Sequence, residues 1–156
     1  TENVIDIVAR AARQLSQSRT GALIAFEREV GLEEYIESGI RIEGIVSPEL
    51  ILTIFTPTTP LHDGAVVLRG MNLVAAGCFL PLTESPISPE LGTRHRAALG
   101  VSEVSDALVV VVSEETGGVS VAMGGQLHRN LDENALRNIL SSELNQNGGW
   151  LRGLFR

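Results

Sequence analysis

Asp106-Ala107-Leu108-Val109-Val110-Val111-Val112 is the most apolar run of the chain, and its reading decides the fold. A short unbroken apolar run bounded by turn residues reads as a buried strand, so 106–112 is expected to be a central strand. The turn Ser113-Glu114-Glu115-Thr116-Gly117-Gly118 follows it, and Val119 to Met123 returns as a neighbour; Gly124-Gly125 then turns the chain again. Upstream, Ala65 to Leu68 and Leu73 to Leu80 read as a hairpin around Gly70-Met71-Asn72, Gly21 to Glu27 as another buried strand, and Ile40 to Val46 as an edge strand. Helical spacing places amphipathic helices at Asn3 to Gln17 and after Asp132, where Leu136, Ile139, Leu140 and Leu144 share a face. Ser47-Pro48 opens a third helix, which ends before Pro57, and Leu32 to Glu37 forms a short one. Thr93 is expected to cap a further helix running to about Gly100. Helices interspersed with hairpins predict an α/β fold: a single domain with a mixed parallel and antiparallel sheet flanked by helices.

The bulk composition narrows the function. A chain of 156 residues with 44% hydrophobic side chains supports one core. Aromatic residues are 4%, so Val, Ile, Leu and Ala must fill it. A net charge of −7 argues against a general nucleic-acid binder but leaves room for a small anionic ligand gripped by a local Arg cluster. The one cysteine, Cys78, lies in an apolar run and is expected to be a buried, inert thiol in a reducing compartment. No apolar run reaches the roughly 18 residues of a membrane span.

Two stretches carry chemistry. Pro60-Leu61-His62-Asp63-Gly64-Ala65 sets a carboxylate on a turn at the mouth of a strand, after prolines that stiffen its approach. Gly92-Thr93-Arg94-His95-Arg96 sets two guanidiniums, an imidazole and a hydroxyl at a helix start. That end of a helix favours anions, so basic side chains there make sense when an anion neutralises them. Arg adds forked donors that match phosphate oxygens. Glu114-Glu115, with Ser113, sits beyond the central strand, where ligands collect in open α/β sheets. Taken singly, each stretch also reads blandly, as a turn, a set of surface salt bridges or a solvated acidic loop. Together they suggest a metal site and an anion clamp for phosphoryl or nucleotidyl transfer.

The pair Asp63-Gly64-Ala65 and Arg94-His95-Arg96, with the runs 60–66, 91–98 and 113–120 around them, resembles the signature motifs of diadenylate cyclase domains of the membrane-bound bacterial type, over nearly all of Asn3 to Leu144. The resemblance implies a mixed sheet with surrounding helices, and a face-to-face homodimer, each chain holding one ATP, that makes cyclic di-AMP and two pyrophosphates. It makes Asp63, Arg94 and His95 catalytic. It gives ATP contacts to Gly64, Ala65, Phe79, Leu80, Gly92, Thr93, Arg94, His95, Arg96, Ser113 and Glu114, and assigns a divalent metal, Mg²⁺ or Mn²⁺, to Asp63, Glu115 and His62. Many relatives carry Tyr where this chain has Phe79, which keeps stacking but loses a hydroxyl. Residues 1–146 would be the catalytic domain; the 147–156 tail, read from its own residues, is either a frayed terminus or a contact for a membrane or a partner through Trp150 and its neighbours. The implied whole protein is anchored at the cytoplasmic face of the membrane and open to regulatory partners. The competing readings are a nucleotide-binding regulatory module without turnover, a scaffold with polar turns, and a metal-dependent phosphohydrolase.

Overall fold

The computed structural model describes residues 3–146, so the 147–156 tail lies outside the described residues. Seven strands form one sheet in the order β2-β4-β3-β1-β5-β6-β7. β1 (Ala22–Phe26) lies at its middle, parallel to β3 (Ala65–Arg69) and antiparallel to β5 (Leu108–Val112). β4 (Asn72–Cys78) hairpins back on β3, and β6 (Val119–Met123) on β5. β2 (Ile40–Ile45) forms one edge, as its alternating sequence predicts. The other edge is β7 (Gln126–His128), to which the sequence reading assigns no element. With three residues and one apolar side chain it carries no period to detect, and its shortness limits the exposed edge.

Every residue of β1 and β5 is buried, because both faces of the sheet are covered. Ile24, Phe26, Val110 and Val112 face the layer of α1 (Val4–Gln17), α3 (Pro48–Phe55) and α5 (Glu133–Gln146). Their alternate neighbours Leu23, Ala25, Val109 and Val111 pack on α4 (Thr93–Val104) and α2 (Glu33–Ile36). Four successive valines suit this position, since branched side chains pack well on either face of a pleated strand. The helix starts follow capping chemistry. Asn3 Oδ1 accepts from Asp6 N at 2.9 Å, Ser47 Oγ from Leu50 N at 3.0 Å, and Asp132 Oδ1 from Ala135 N at 2.7 Å.

α4 departs from its sequence reading at both ends. Gly92, not Thr93, is its N-cap, and His95 serves the start instead: the Gly92 amide donates to His95 Nδ1 at 3.4 Å. The helix runs on through Gly100 to Val104. Gly100 is internal because the Pro81–Leu82 main chain crosses against it, and a methyl group there would lie 2.6 Å from Pro81 C and 2.9 Å from Leu82 C.

The strand directions fix where chemistry gathers. β1 and β3 begin, and β4 and β5 end, at the same end of the sheet. Residues 62–64, 79–80 and 113–115 therefore emerge side by side.

Candidate active site

A cleft of about 700 Å³ opens at that end, between the strand termini and the N-terminus of α4. His62, Asp63 and Gly64 line it from the approach to β3, and Ser113, Glu114 and Glu115 from the exit of β5. Gly92, Thr93, Arg94 and His95 line it from α4, and Phe79 and Leu80 from the exit of β4. The two motifs, about thirty positions apart in the chain, thus share one cavity.

Two of the residues singled out in the sequence do not line it. Ala65 is fully buried in β3 beneath the cleft. Arg96 is two positions beyond Arg94, about 200° around the helix, so the two arginines cannot share a face. Arg96 is instead tied to the adjoining loop through its carbonyl, which accepts from Thr83 N at 3.0 Å.

Residues 81–91, rich in proline, read in the sequence as a surface loop between β4 and α4. Leu82, Pro89, Glu90 and Leu91 form a wall of the cleft. Thr83 is buried and donates to Glu103 Oε2 at 2.8 Å, while Glu90 Oε1 pairs with Arg129 Nη1 at 3.0 Å. The three prolines of residues 81–89 were the available signal, since they stiffen the loop enough to serve as a wall.

His62 Nδ1 sits 2.8 Å from the Thr59 carbonyl, which can only accept, so Nδ1 carries a proton and donates it there. His95 is 5% exposed. Burial first, then the charges of Arg129 and Arg94, hold its pKa below the ordinary value, which favours the neutral ring. Its Nδ1 accepts from Gly92, leaving Nε2–H as a donor. Ser113 Oγ accepts from the Glu115 and Thr116 amides, each at 3.2 Å, and its own O–H stays available to donate. Arg94 Nη1 is 3.6 Å from Glu114 Oε1, an ion pair longer than a hydrogen bond.

Phe79, 66% exposed, and Leu80, 8% exposed, give the cleft an apolar flank. Cys78, behind them, is fully buried, and burial pushes its thiol up to about 11, which keeps it inert. Among the described residues no group of three or more His, Cys, Asp or Glu side chains stands ready to hold a metal. His62, Asp63 and Glu115, which the sequence reading groups as metal ligands, share the cleft but do not come together as such a group. Among the described residues, no helix is long and apolar enough to cross a membrane.

Comparison with known proteins places this arrangement. The family DAC, described as "DisA bacterial checkpoint controller nucleotide-binding", matches residues 9–127. "Cyclic di-AMP synthase CdaA" of Bacillus subtilis is 52% identical over 147 residues, which cover 94% of this chain and 54% of that protein. "Diadenylate cyclase" of Listeria monocytogenes is 48% identical over 143 residues, covering 91% and 52%. The chain thus spans about half the length of these relatives. The crystal structure of DacA from Staphylococcus aureus superposes with a TM-score of 0.87 at 48% identity, covering 89% of this chain and 93% of that one. A fold shared along almost the whole of both chains, and a family match that includes both motifs of the cleft, establish that this chain belongs to the DAC family of diadenylate cyclase domains.

Proposed function

We propose that the cleft is the ATP half-site of a diadenylate cyclase, and that two copies facing each other join two ATP molecules into cyclic di-AMP. The observation that carries this reading is the meeting of Asp63 with Arg94 and His95 in one cavity. The names of the relatives support it, since they describe diadenylate cyclases and cyclic di-AMP synthases.

In this reading the free amides at the start of α4, Arg94 and the Nε2–H of neutral His95 take the triphosphate. Thr93 and the Ser113 hydroxyl add donors, and Phe79 and Leu80 flank adenine. Gly64 lets the main chain approach the ribose, and Glu114 borders the phosphates. Asp63 takes the proton of the ribose 3′-hydroxyl as its oxygen bonds to the α-phosphorus of the ATP on the facing chain. The bond from that phosphorus to the bridging oxygen breaks, and pyrophosphate leaves with the electron pair. Arg94 and His95 stabilise the charge that builds on the phosphate oxygens. The same step on the other chain closes the ring. A two-fold product matches a two-fold dimer, in which neither chain alone completes turnover.

The donor set suits a hard divalent cation, Mg²⁺ or Mn²⁺. Asp63 and Glu115 would supply carboxylate oxygens, with His62 beside them in the cleft, to an ion that arrives bound to phosphates. When bound, such an ion neutralises phosphate charge and eases loss of the hydroxyl proton. We further propose that residues 1–146 are the catalytic unit of a longer, membrane-anchored protein working at the cytoplasmic face, where other proteins can hold its dimer together or apart. Similarity to a chain titled a hypothetical membrane spanning protein from Bacillus cereus, at a TM-score of 0.78 and 46% identity, supports the anchoring.

Incubation with ATP and Mn²⁺ across a dilution series tests this. Cyclic di-AMP and pyrophosphate are expected by chromatography and mass, with specific activity falling as the dimer dissociates. Hydrolysis to ADP and phosphate without a dinucleotide, or flat specific activity far below the dimer dissociation constant, would contradict it.

A further inference from the structure

Arg94 is held by shape rather than by bonds. Its Nε is buried and has no hydrogen-bond partner, and its pairing with Glu114 is 3.6 Å long. Its side chain as a whole is 23% exposed, so most of it is enclosed. One wall of the enclosure is the main chain of Gly21, the residue before β1. A methyl group on Gly21 would overlap the Arg94 guanidinium carbon and Nη1 and lie 2.9 Å from Nε. Gly21 is buried and does not have a positive φ, so the backbone does not call for glycine. What glycine provides there is space. Its place in the sheet fits this role: Ala22 pairs with Val112, so Gly21 lies beside the start of the turn that carries Glu114.

We propose that Gly21 is a positioning residue of the phosphate grip. Its missing side chain is the seat that holds the Arg94 guanidinium flat against the start of β1. A guanidinium with few bonds of its own has many rotamers open to it, and each one lost before substrate arrives spares ordering entropy on binding. The seat thus preorganises the one arginine that lines the cleft from the start of α4. This inference rests on the reading of Arg94 as a phosphate contact.

The clash in Gly21→Ala falls on the far end of a flexible side chain, not on main chain. The variant should therefore fold and displace the guanidinium alone. The experiment compares wild type, Gly21→Ala, Arg94→Ala and the double variant by calorimetric binding of ATP and of adenosine, with thermal unfolding beside it. Gly21→Ala is expected to weaken ATP about tenfold, the loss of one charge-assisted contact, and adenosine less than about twofold. In the Arg94→Ala background Gly21→Ala should add no further loss. Equal weakening of ATP and adenosine, unchanged ATP affinity, or a full effect without Arg94 would each overturn the proposal. So would unfolding of Gly21→Ala in both backgrounds, which would make Gly21 a packing position of the sheet. Wild type that binds ATP no better than adenosine would instead refute the phosphate grip itself, so the two failures are distinguishable.

Discussion

Gly64→Ala should damage fold and chemistry together, by amounts that follow from the geometry. Gly64 has φ +101°, a region in which an L side chain meets its own main chain. That conformation costs alanine about 1–2 kcal/mol. The added methyl would also stand 2.8 Å from both Cys78 O and Gly77 C and 3.1 Å from Cys78 N. Carbon contacts prefer roughly 3.5–4.0 Å, and all three atoms are main chain, so no side-chain rotation relieves the overlap. Forcing β3 and the end of β4 apart adds about 1–3 kcal/mol, for a total of about 2–5 kcal/mol. With a urea m-value of about 2 kcal/mol/M, the unfolding midpoint should fall by about 1–2.5 M. Gly77→Ala is the control. Its φ is +65°, but a methyl there meets only Asp63 O at 3.6 Å, so it should cost the conformational part alone, about 1–2 kcal/mol. The same displacement moves Asp63, the next residue, and a shift near 1 Å at a reacting group costs about 100-fold in rate. Folded Gly64→Ala should therefore bind ATP and turn it over far more slowly. A midpoint shift below about 0.3 M, or one no larger than that of Gly77→Ala, would refute the overlap argument.

Other expectations are narrower. Gly100→Ala should destabilise the protein and weaken ATP binding, although alanine is the better helix former, because its methyl meets the Pro81–Leu82 main chain; a gain in unfolding midpoint would contradict this. The pKa of His95 is held below its ordinary 6.5, so the unfolded chain takes up that proton first. Stability owed to neutral His95 is complete above about pH 6.5 and is lost as pH falls toward the folded value. His95→Gln should thus show a shallower loss of urea midpoint in that acid range, and parallel pH profiles would argue against it. Glu90→Ala removes the tie to Arg129, so amides of the 81–91 loop should exchange faster with solvent while the melting temperature barely moves. Unchanged loop exchange would show that the prolines and the hydrogen bonds of Thr83 hold that wall without it.

The interior strands, the capped helices and the two motifs were legible because each rests on local chemistry: unbroken apolar runs, Asn3, Ser47 and Asp132 as caps, and charge at a helix start. Features set by contacts distant in sequence were not. Gly100 reads as a stop in isolation and is a crossing point in three dimensions. Thr93 reads as a cap until His95 is seen to serve the Gly92 amide. Arg96 reads like Arg94, yet helical phase turns it away from the cleft. The loop wall and the seat at Gly21 are likewise invisible without the packing of one segment on another.

Asp63→Asn tests the central claim most directly. It keeps the shape of the cleft and leaves Arg94 and His95 in place, but removes the carboxylate that receives the proton. ATP binding measured by calorimetry should stay within about tenfold of wild type, while cyclic di-AMP measured by mass spectrometry falls by about 100-fold or more. Undiminished cyclic di-AMP from this variant would contradict the account.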